Sequence, residues 1–295
     1  MTIGIIPNIS KSDILEIVKK IIVQLQQNEF NFILCESLLK FKNEFDSTAK
    51  FKSPVDLSNN CDMVISIGGD GTMLNTAFEV RNSSTPIIGV NFGKLGFLAE
   101  FDLTSFTELL HDIKTKNYTI EERMALVGSS NGNNNELYAI NDIVIDKGPW
   151  PKMIELTIKV DDDYVSTFSA DGLIIATPTG STGYSLSTGG PIVNPKADVI
   201  TLSPIAPHTL TMRPLVISSG QKITVMINSP SEKIQVSSDG QRVNFFSSPA
   251  QLTIEKNKQS VRLIHSNRTN YFEILRNKLY WGLDVRKSNN SKKRQ

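Results

Sequence analysis

The feature that most constrains this fold is a change of hydrophobic period part-way along the chain. Early on, short apolar runs alternate with amphipathic segments: Ile3 to Ile6, Phe30 to Cys35, Met63 to Ile67 and Ile87 to Val90 read as buried strands. Pro7-Asn8 reads as a turn. The segment after it carries Ile14, Ile17, Val18, Ile21, Ile22 and Leu25 at helical spacing, with Ser12 as a candidate N-cap. Met73 to Val80 is a second helical segment, following directly on the third strand. This order predicts βαβ units, a mostly parallel Rossmann-like sheet and a ligand site at the strand ends. From about residue 120 the period falls to two. Ile154, Leu156, Ile158 and Val160 alternate with polar residues, as do Ile223, Val225 and Ile227, and further strands are expected at Leu137 to Ile145, Gly172 to Thr177, Lys233 to Ser237 and Gln251 to Ile254. Helical spacing returns at Tyr271 to Trp281 through Phe272, Leu275 and Leu279, so a C-terminal helix is expected to pack back on the first domain. The expected organisation is an α/β domain over 1–119 with 269–290 returning to it, a mostly β domain over 120–268, and a disordered basic tail at 291–295.

With 295 residues the chain can bury two ordinary cores. Lys+Arg number 31 against Asp+Glu 30, and the net charge of +1 supplies no global field for gripping nucleic acid or an anionic membrane. The first ten residues lack the basic start and long apolar core of a signal peptide, and no stretch approaches the ~18 apolar residues of a span. A cytoplasmic protein with neither nucleic acid nor membrane as partner is expected. Cys35 and Cys61 show no C-x-x-C spacing and read as buried thiols. His111, His208 and His265 are too scattered for a ligand trio, and Asp161 to Asp163 read as a hairpin turn, so no protein metal site is expected. Asn131 to Asn135 reads as a polar loop.

Two stretches could carry chemistry. The third strand opens into Gly68-Gly69-Asp70-Gly71-Thr72, whose glycines let the backbone approach a ligand and whose following helix offers free N–H groups to a phosphate. A carboxylate in such a loop needs a cation, a hydroxyl or a metal-bound phosphate to meet. Asp70 is therefore a candidate general base, although the pentapeptide also fits a tight Asp-Gly turn. It is neither G-x-x-x-x-G-K-[ST] nor G-x-G-x-x-G. The second stretch runs from Asp171 through a strand into Thr177-Pro178-Thr179-Gly180-Ser181-Thr182-Gly183-Tyr184-Ser185-Leu186-Ser187, a long small-residue loop extended by Gly189-Gly190-Pro191. Its hydroxyls and glycines suit a base and a ribose, and Tyr184 offers a stacking face; a plain Ser/Thr-rich loop is the alternative.

These two stretches, with the pair Asn141-Asp142, the segment Asn91 to Leu98 and Ser238-Asp239-Gly240-Gln241, resemble the NAD kinase family over roughly residues 60 to 245. The first motif alone is shared with diacylglycerol-type lipid kinases and resembles a piece of phosphofructokinases. The resemblance implies transfer of a phosphoryl group from ATP, with Mg²⁺ or another divalent cation, to the 2′-hydroxyl of the adenosine ribose of NAD. Asp70 matches the family's catalytic acid and Gly71 lets the substrate lie close. Asn141 and Asp142 match the pair that binds the ribose hydroxyls. Thr182, Gly183, Tyr184, Ser185, Leu186 and Ser187 would hold adenine and ribose, with Tyr184 stacking. Ala206 would line the adenine pocket, Phe97 would close over the dinucleotide, Gln241 belongs to the fourth motif, and Asp171 would reach a site in another subunit of a homo-oligomer, expected to be a tetramer. Lys152 falls near a variable basic position and reads equally as a solvated lysine; Asn75 is either a polar helix residue or a pocket contact. Many relatives carry Arg two positions before the aspartate where this chain has Ser169, which leaves NAD against NADH open. The alternatives are a lipid kinase of the same superfamily and a catalytically silent dinucleotide sensor; intact Asp70 argues against the sensor.

Overall fold

The structure is a computed structural model that describes residues 1–91, 96–130, 136–267 and 270–282, with the backbone alone of 133–135. The tail expected at 291–295 lies outside the described residues, as does part of the returning segment 269–290. In the N-terminal portion the strands are β1 (Thr2–Pro7), β2 (Asn31–Cys35), β3 (Phe51–Lys52), β4 (Met63–Ile67), β5 (Ile87–Asn91), β6 (Phe101–Asp102) and β7 (Tyr118–Arg123), and the helices are α1 (Ile14–Gln27), α2 (Pro54–Asn60), α3 (Asp70–Glu79) and α4 (Phe106–Thr115). The strands β8 (Leu126–Ser130), β9 (Asn133–Ala139), β10 (Asp142–Asp146), β11 (Ile154–Val160), β12 (Asp163–Ala170) and β13 (Gly172–Ala176) follow, then α5 (Tyr184–Ser187) and β14 (Val199–Ile205). The chain continues through β15 (Leu215–Ser218), β16 (Ile223–Asn228), β17 (Lys233–Ser238), β18 (Arg242–Ser247), β19 (Ala250–Lys256), β20 (Val261–Ser266) and α6 (Tyr271–Leu279). No described helix is long and apolar enough to cross a membrane.

Packing divides the chain into two compact units. One comprises Met1–Met73, Pro86–Glu121 and the chain from Leu263 onward; the other comprises Leu74–Thr85 and Glu122–Arg262. The first unit holds the sheet β3-β2-β1-β4-β5-β20-β7, with β6 on β5. Its pairings β1–β2, β1–β4, β4–β5 and β5–β20 are all parallel. β1, β4 and β5 are buried nearly throughout, as strands covered on both faces must be. α1 lays Ile14, Ile17, Val18, Ile21 and Leu25 against Ile3, Ile5 and Leu34 of the sheet's core. Each such side chain contributes about 1.5–3 kcal/mol by leaving water. Asp13, not Ser12, is the residue before α1, and its side chain makes no capping bond; α2 in contrast starts on a working cap, with Ser53 Oγ accepting from the Asp56 N–H at 3.1 Å. Cys35 is buried and Cys61 half-buried, both free, and burial pushes the Cys61 thiol up to about 11.

The second unit holds two six-stranded sheets, β15-β14-β13-β10-β17-β18 and β12-β11-β16-β19-β8-β9. β11 alternates as its sequence does, and inward residues from both sheets, among them Ile143, Ile175, Leu156 and Val225, form one core. The expected single strand over Leu137 to Ile145 is broken. β9 ends at Ala139 in one sheet and β10 starts at Asp142 in the other, so Ile140-Asn141 is where the chain changes sheets. Asn133 to Asn135, expected as loop, lie at the start of β9; Asn131 and Gly132 are outside the described residues. Asp161 takes the turn expected of it, at φ 54° with its carboxylate accepting from the Lys222 N–H at 2.9 Å.

Candidate active site

In the first unit, β4 is followed by Gly68 and Gly69, and α3 begins on Asp70. Gly68 sits at φ 156°, and a Cβ there would run into the Thr72 side chain. The Gly69 carbonyl accepts from the N–H groups of Thr72 at 2.9 Å and Met73 at 3.1 Å, which starts the helix. Asp70 reaches across to the segment after β5: Oδ2 accepts the Phe97 N–H at 2.8 Å, and Oδ1 accepts those of Leu98 and Ala99, both at 3.0 Å. Gly96 is obligatory beside it, because a side chain there would overlap the Asp70 carboxylate. The same segment packs on β5 so tightly that a Cβ on Gly89 would stand 2.7 Å from Ala99 Cα. The turn thus brings Asp70 and Phe97 together and leaves Gly71 exposed at the start of α3. An Asp-Gly turn and a functional carboxylate are not exclusive here. Oδ1 has both acceptor positions filled by main chain, whereas Oδ2 keeps one lone pair for a hydroxyl. Asn75, one turn further along α3, is exposed.

In the second unit the sheet crossing at Ile140-Asn141 is held from below by Asp239. That residue sits at φ 53° and Gly240 at φ 65° in the turn between β17 and β18, where the Gln241 N–H donates to the Ser238 carbonyl at 3.1 Å. The Asp239 carboxylate, fully buried, accepts the N–H groups of Asn141 at 2.7 Å and Ile140 at 2.9 Å, and also takes Arg242 Nη2 at 2.7 Å. The small-residue stretch lies over the crossing. The Thr177 N–H donates to the Asn141 carbonyl at 2.9 Å, and Gly180 comes so close that a Cβ would overlap that same carbonyl. A Cβ on Gly183 would lie 3.8 Å from Asp142 Oδ2 and 3.9 Å from Asn141 Nδ2, so both side chains of the pair face this glycine.

The expected long loop is partly helical: Thr179–Thr182 form a 3₁₀ turn and Tyr184–Ser187 one α-turn. Ser185 is buried with Oγ 2.9 Å from Ser203 Oγ, while Thr182, Gly183 and Leu186 are half-buried and Ser187 exposed. Tyr184 is 46% exposed, a ring face free to stack. Ala206 is exposed at φ 44°, and Lys152 and Gln241 are exposed. Asp171 is paired with Lys147 Nζ at 2.7 Å.

Burial and the neighbouring Asp239 carboxylate push the Asp142 carboxyl up to about 7. Burial likewise raises Asp239, outweighing its N–H and Arg242 partners. Asp239, Arg242 and Lys147 carry roles that the sequence reading did not assign them. For Asp239 a signal existed, an Asp-Gly pair between two strand-like runs, which marks a tight turn but not what its carboxylate holds. Two surface grooves, one lined by Glu155, Met226 and Phe245 and the other by Lys19, Phe32 and Phe45, share no residue with the candidate site.

The site residues thus lie on a parallel α/β unit with a carboxylate in its glycine-rich turn and on a two-sheet β unit presenting an Asn-Asp pair to a small-residue loop. Residues 3–118 match the model of the ATP-NAD kinase N-terminal domain and residues 140–266 that of the ATP-NAD kinase C-terminal domain. The NAD kinase of Chlorobium phaeovibrioides is 37% identical over 288 residues, 97% of this chain and 100% of that protein. The NAD kinase of Geotalea daltonii is 43% identical over 230 residues, covering 77% and 81%. An NAD kinase from Archaeoglobus fulgidus, solved in complex with ATP, superposes with a TM-score of 0.74 at 28% identity, covering 95% of this chain and 99% of that one. Yeast NADH kinase complexed with NADH gives 0.89 at 22% identity, covering 97% and 89%, a likeness of fold. The chain belongs to the ATP-NAD kinase family.

Proposed function

We propose that this chain is an NAD kinase, moving the terminal phosphoryl group of ATP to the 2′-hydroxyl of the adenosine ribose of NAD to give NADP. The observation that carries the reading is the match to both family domains over nearly the whole chain. Phosphoryl transfer asks a protein for in-line positioning and charge management more than covalent work. Asp70 meets that demand through Oδ2, whose remaining lone pair would accept the ribose hydroxyl proton, while the three main-chain N–H groups hold the carboxylate still. A carboxylate of this kind assists when its geometry is good and proton transfer is late.

Asn141 and Asp142 would take the other ribose hydroxyls, with Gly183 leaving room over them. Tyr184 would stack on adenine, and Thr182, Leu186, Ser187 and Ala206 would border it, Ser185 acting from beneath through Ser203. Phe97 would cover the dinucleotide beside Asp70 and Gly71. Asn75, Lys152 and Gln241 are exposed and would meet substrate only at its edges. Among the described residues no three His, Cys, Asp or Glu side chains are grouped to hold a metal. A divalent cation such as Mg²⁺ would accompany the ATP phosphates. The protein would act in the cytoplasm as a homotetramer, with Asp171 presented to a neighbouring subunit's site; a monomer in sedimentation at working concentration would contradict this. The decisive test of function is NADP formation from NAD and ATP by the purified chain. Absence of product with NAD and NADH alike, under any common divalent cation, would refute the reading.

A further inference from the structure

We infer that Asp239, braced by Arg242, is a positioning residue for dinucleotide binding: it holds the Ile140-Asn141-Asp142 crossing in the one conformation that presents both side chains to the ribose. The inference rests on the placement of NAD's ribose at Asn141 and Asp142.

A chain that leaves one sheet for another loses its ladder partners for the residues in between, and buried N–H groups there need substitutes. Asp239 supplies them. Its carboxylate accepts the N–H groups of Ile140 and Asn141, and the Asp142 N–H lies 3.4 Å from Oδ1. Its own N–H donates to the Asp142 carbonyl at 2.9 Å, so the crossing is gripped from both directions. A neutral amide does not offer this set: an asparagine has a single acceptor oxygen and would turn a donor toward donors.

Arg242 fixes the carboxylate. Nη2 contacts Asp239 Oδ2 at 2.7 Å and the Tyr138 carbonyl at 3.2 Å, so it ties the end of β9 to the turn before β18. Its guanidinium lies 4.1 Å from the centre of the Phe78 ring, on which Arg81 also rests at 4.2 Å. Phe78 stands in the last turn of α3, the helix that Asp70 begins. The strut therefore runs from Phe78 through Arg242 and Asp239 to the Asn141-Asp142 main chain.

The test compares Asp239→Asn, Arg242→Gln and Arg242→Lys in the full chain, with NAD affinity measured by calorimetry and the KM for ATP by NADP formation, well below each variant's unfolding temperature. The expected result is NAD affinity weakened at least tenfold in Asp239→Asn and Arg242→Gln, KM for ATP changed less than threefold, and Arg242→Lys recovering most of the loss because it keeps the charge against Asp239. Unchanged NAD affinity in folded Asp239→Asn, or equal changes in NAD affinity and ATP KM, would overturn it. If Asp239→Asn does not fold, the two Arg242 variants decide: equal NAD affinity in both refutes the strut. Failure of the wild-type chain to bind NAD would instead strike the underlying placement of the ribose.

Discussion

Asp70 is fixed by three main-chain N–H groups, and this changes what its replacement should do. An amide of the same shape leaves one acceptor for three donors and aims its own NH₂ at one of them, so Asp70→Asn should disturb the Phe97 to Ala99 segment as well as remove a base. The expected outcome is a fall in kcat of about 10²–10⁴ together with a stability loss of about 1–3 kcal/mol from orphaned main-chain groups; an unfolding midpoint equal to wild type would show that the segment does not depend on the carboxylate. The nucleotide pocket should respond differently. Tyr184 is exposed and Asn141 Nδ2 faces Gly183, so Tyr184→Ala and Asn141→Ala should leave stability nearly unchanged and weaken NAD by about 1–3 kcal/mol, the usual worth of a stacking platform or a hydrogen bond to substrate. Calorimetry showing wild-type NAD affinity in both would move the pocket elsewhere. Asp70, Asn141, Asp142 and Tyr184 were legible as candidates from residue type and motif. Lys147 was not, because a lone lysine gives no hint of the aspartate it will pair with across a sheet.

Among elements, most strands and helices follow from period alone, since burial on one or both faces writes the pattern. The exceptions share a cause. Leu137 to Ile145 reads as one strand because apolar residues continue across Ile140, yet the chain changes sheets there, and Asp239, far along the sequence, supplies the acceptor for the N–H groups at the break. The stretch after Thr177 reads as loop because its residues are small and polar, while it winds into two short turns that press Gly180 on the Asn141 carbonyl. A methyl group cannot fit in that contact. Gly180→Ala should therefore lower stability by about 1–3 kcal/mol through overpacking and weaken NAD by displacing Asn141, whereas a Gly189→Ala control, with open space around its Cβ but φ 81°, should show only a backbone cost. Equal NAD affinity in wild type and Gly180→Ala would mean that the loop and the crossing are not coupled.

For the whole molecule, the switch from a strand-helix rhythm to strict alternation announces an α/β sheet followed by a mostly β region, which the structure resolves into two antiparallel sheets. What it hides is that β20, whose six residues include Arg262 and His265, joins the parallel sheet beside β5; no local signal says which sheet so short a strand will enter. Global stability carries one consequence of the second unit's construction. It buries Asp142, only 5% exposed, beside Asp239, with Arg242 and Tyr138 the other ionisable groups packed around Asp239. Asp142 is raised to about 7, against about 3.9 in an unfolded chain. Over that interval the folded state holds a proton that the unfolded state has released. The favourable contribution is therefore complete below about pH 4 and is lost as pH rises through about 7, at up to about 1.4 kcal/mol per pH unit for each proton involved. Asp239 shares in the titration, so the pair is read as one unit. Asp142→Asn keeps the shape and removes the charge, and should make the protein's unfolding free energy less dependent on pH between 5 and 7. Denaturant unfolding at pH 5, 6, 7 and 8 measures this directly: wild type should lose stability relative to Asp142→Asn up to about pH 7 and then run parallel to it, and curves parallel throughout would show that Asp142 is already ionised in the fold at pH 5.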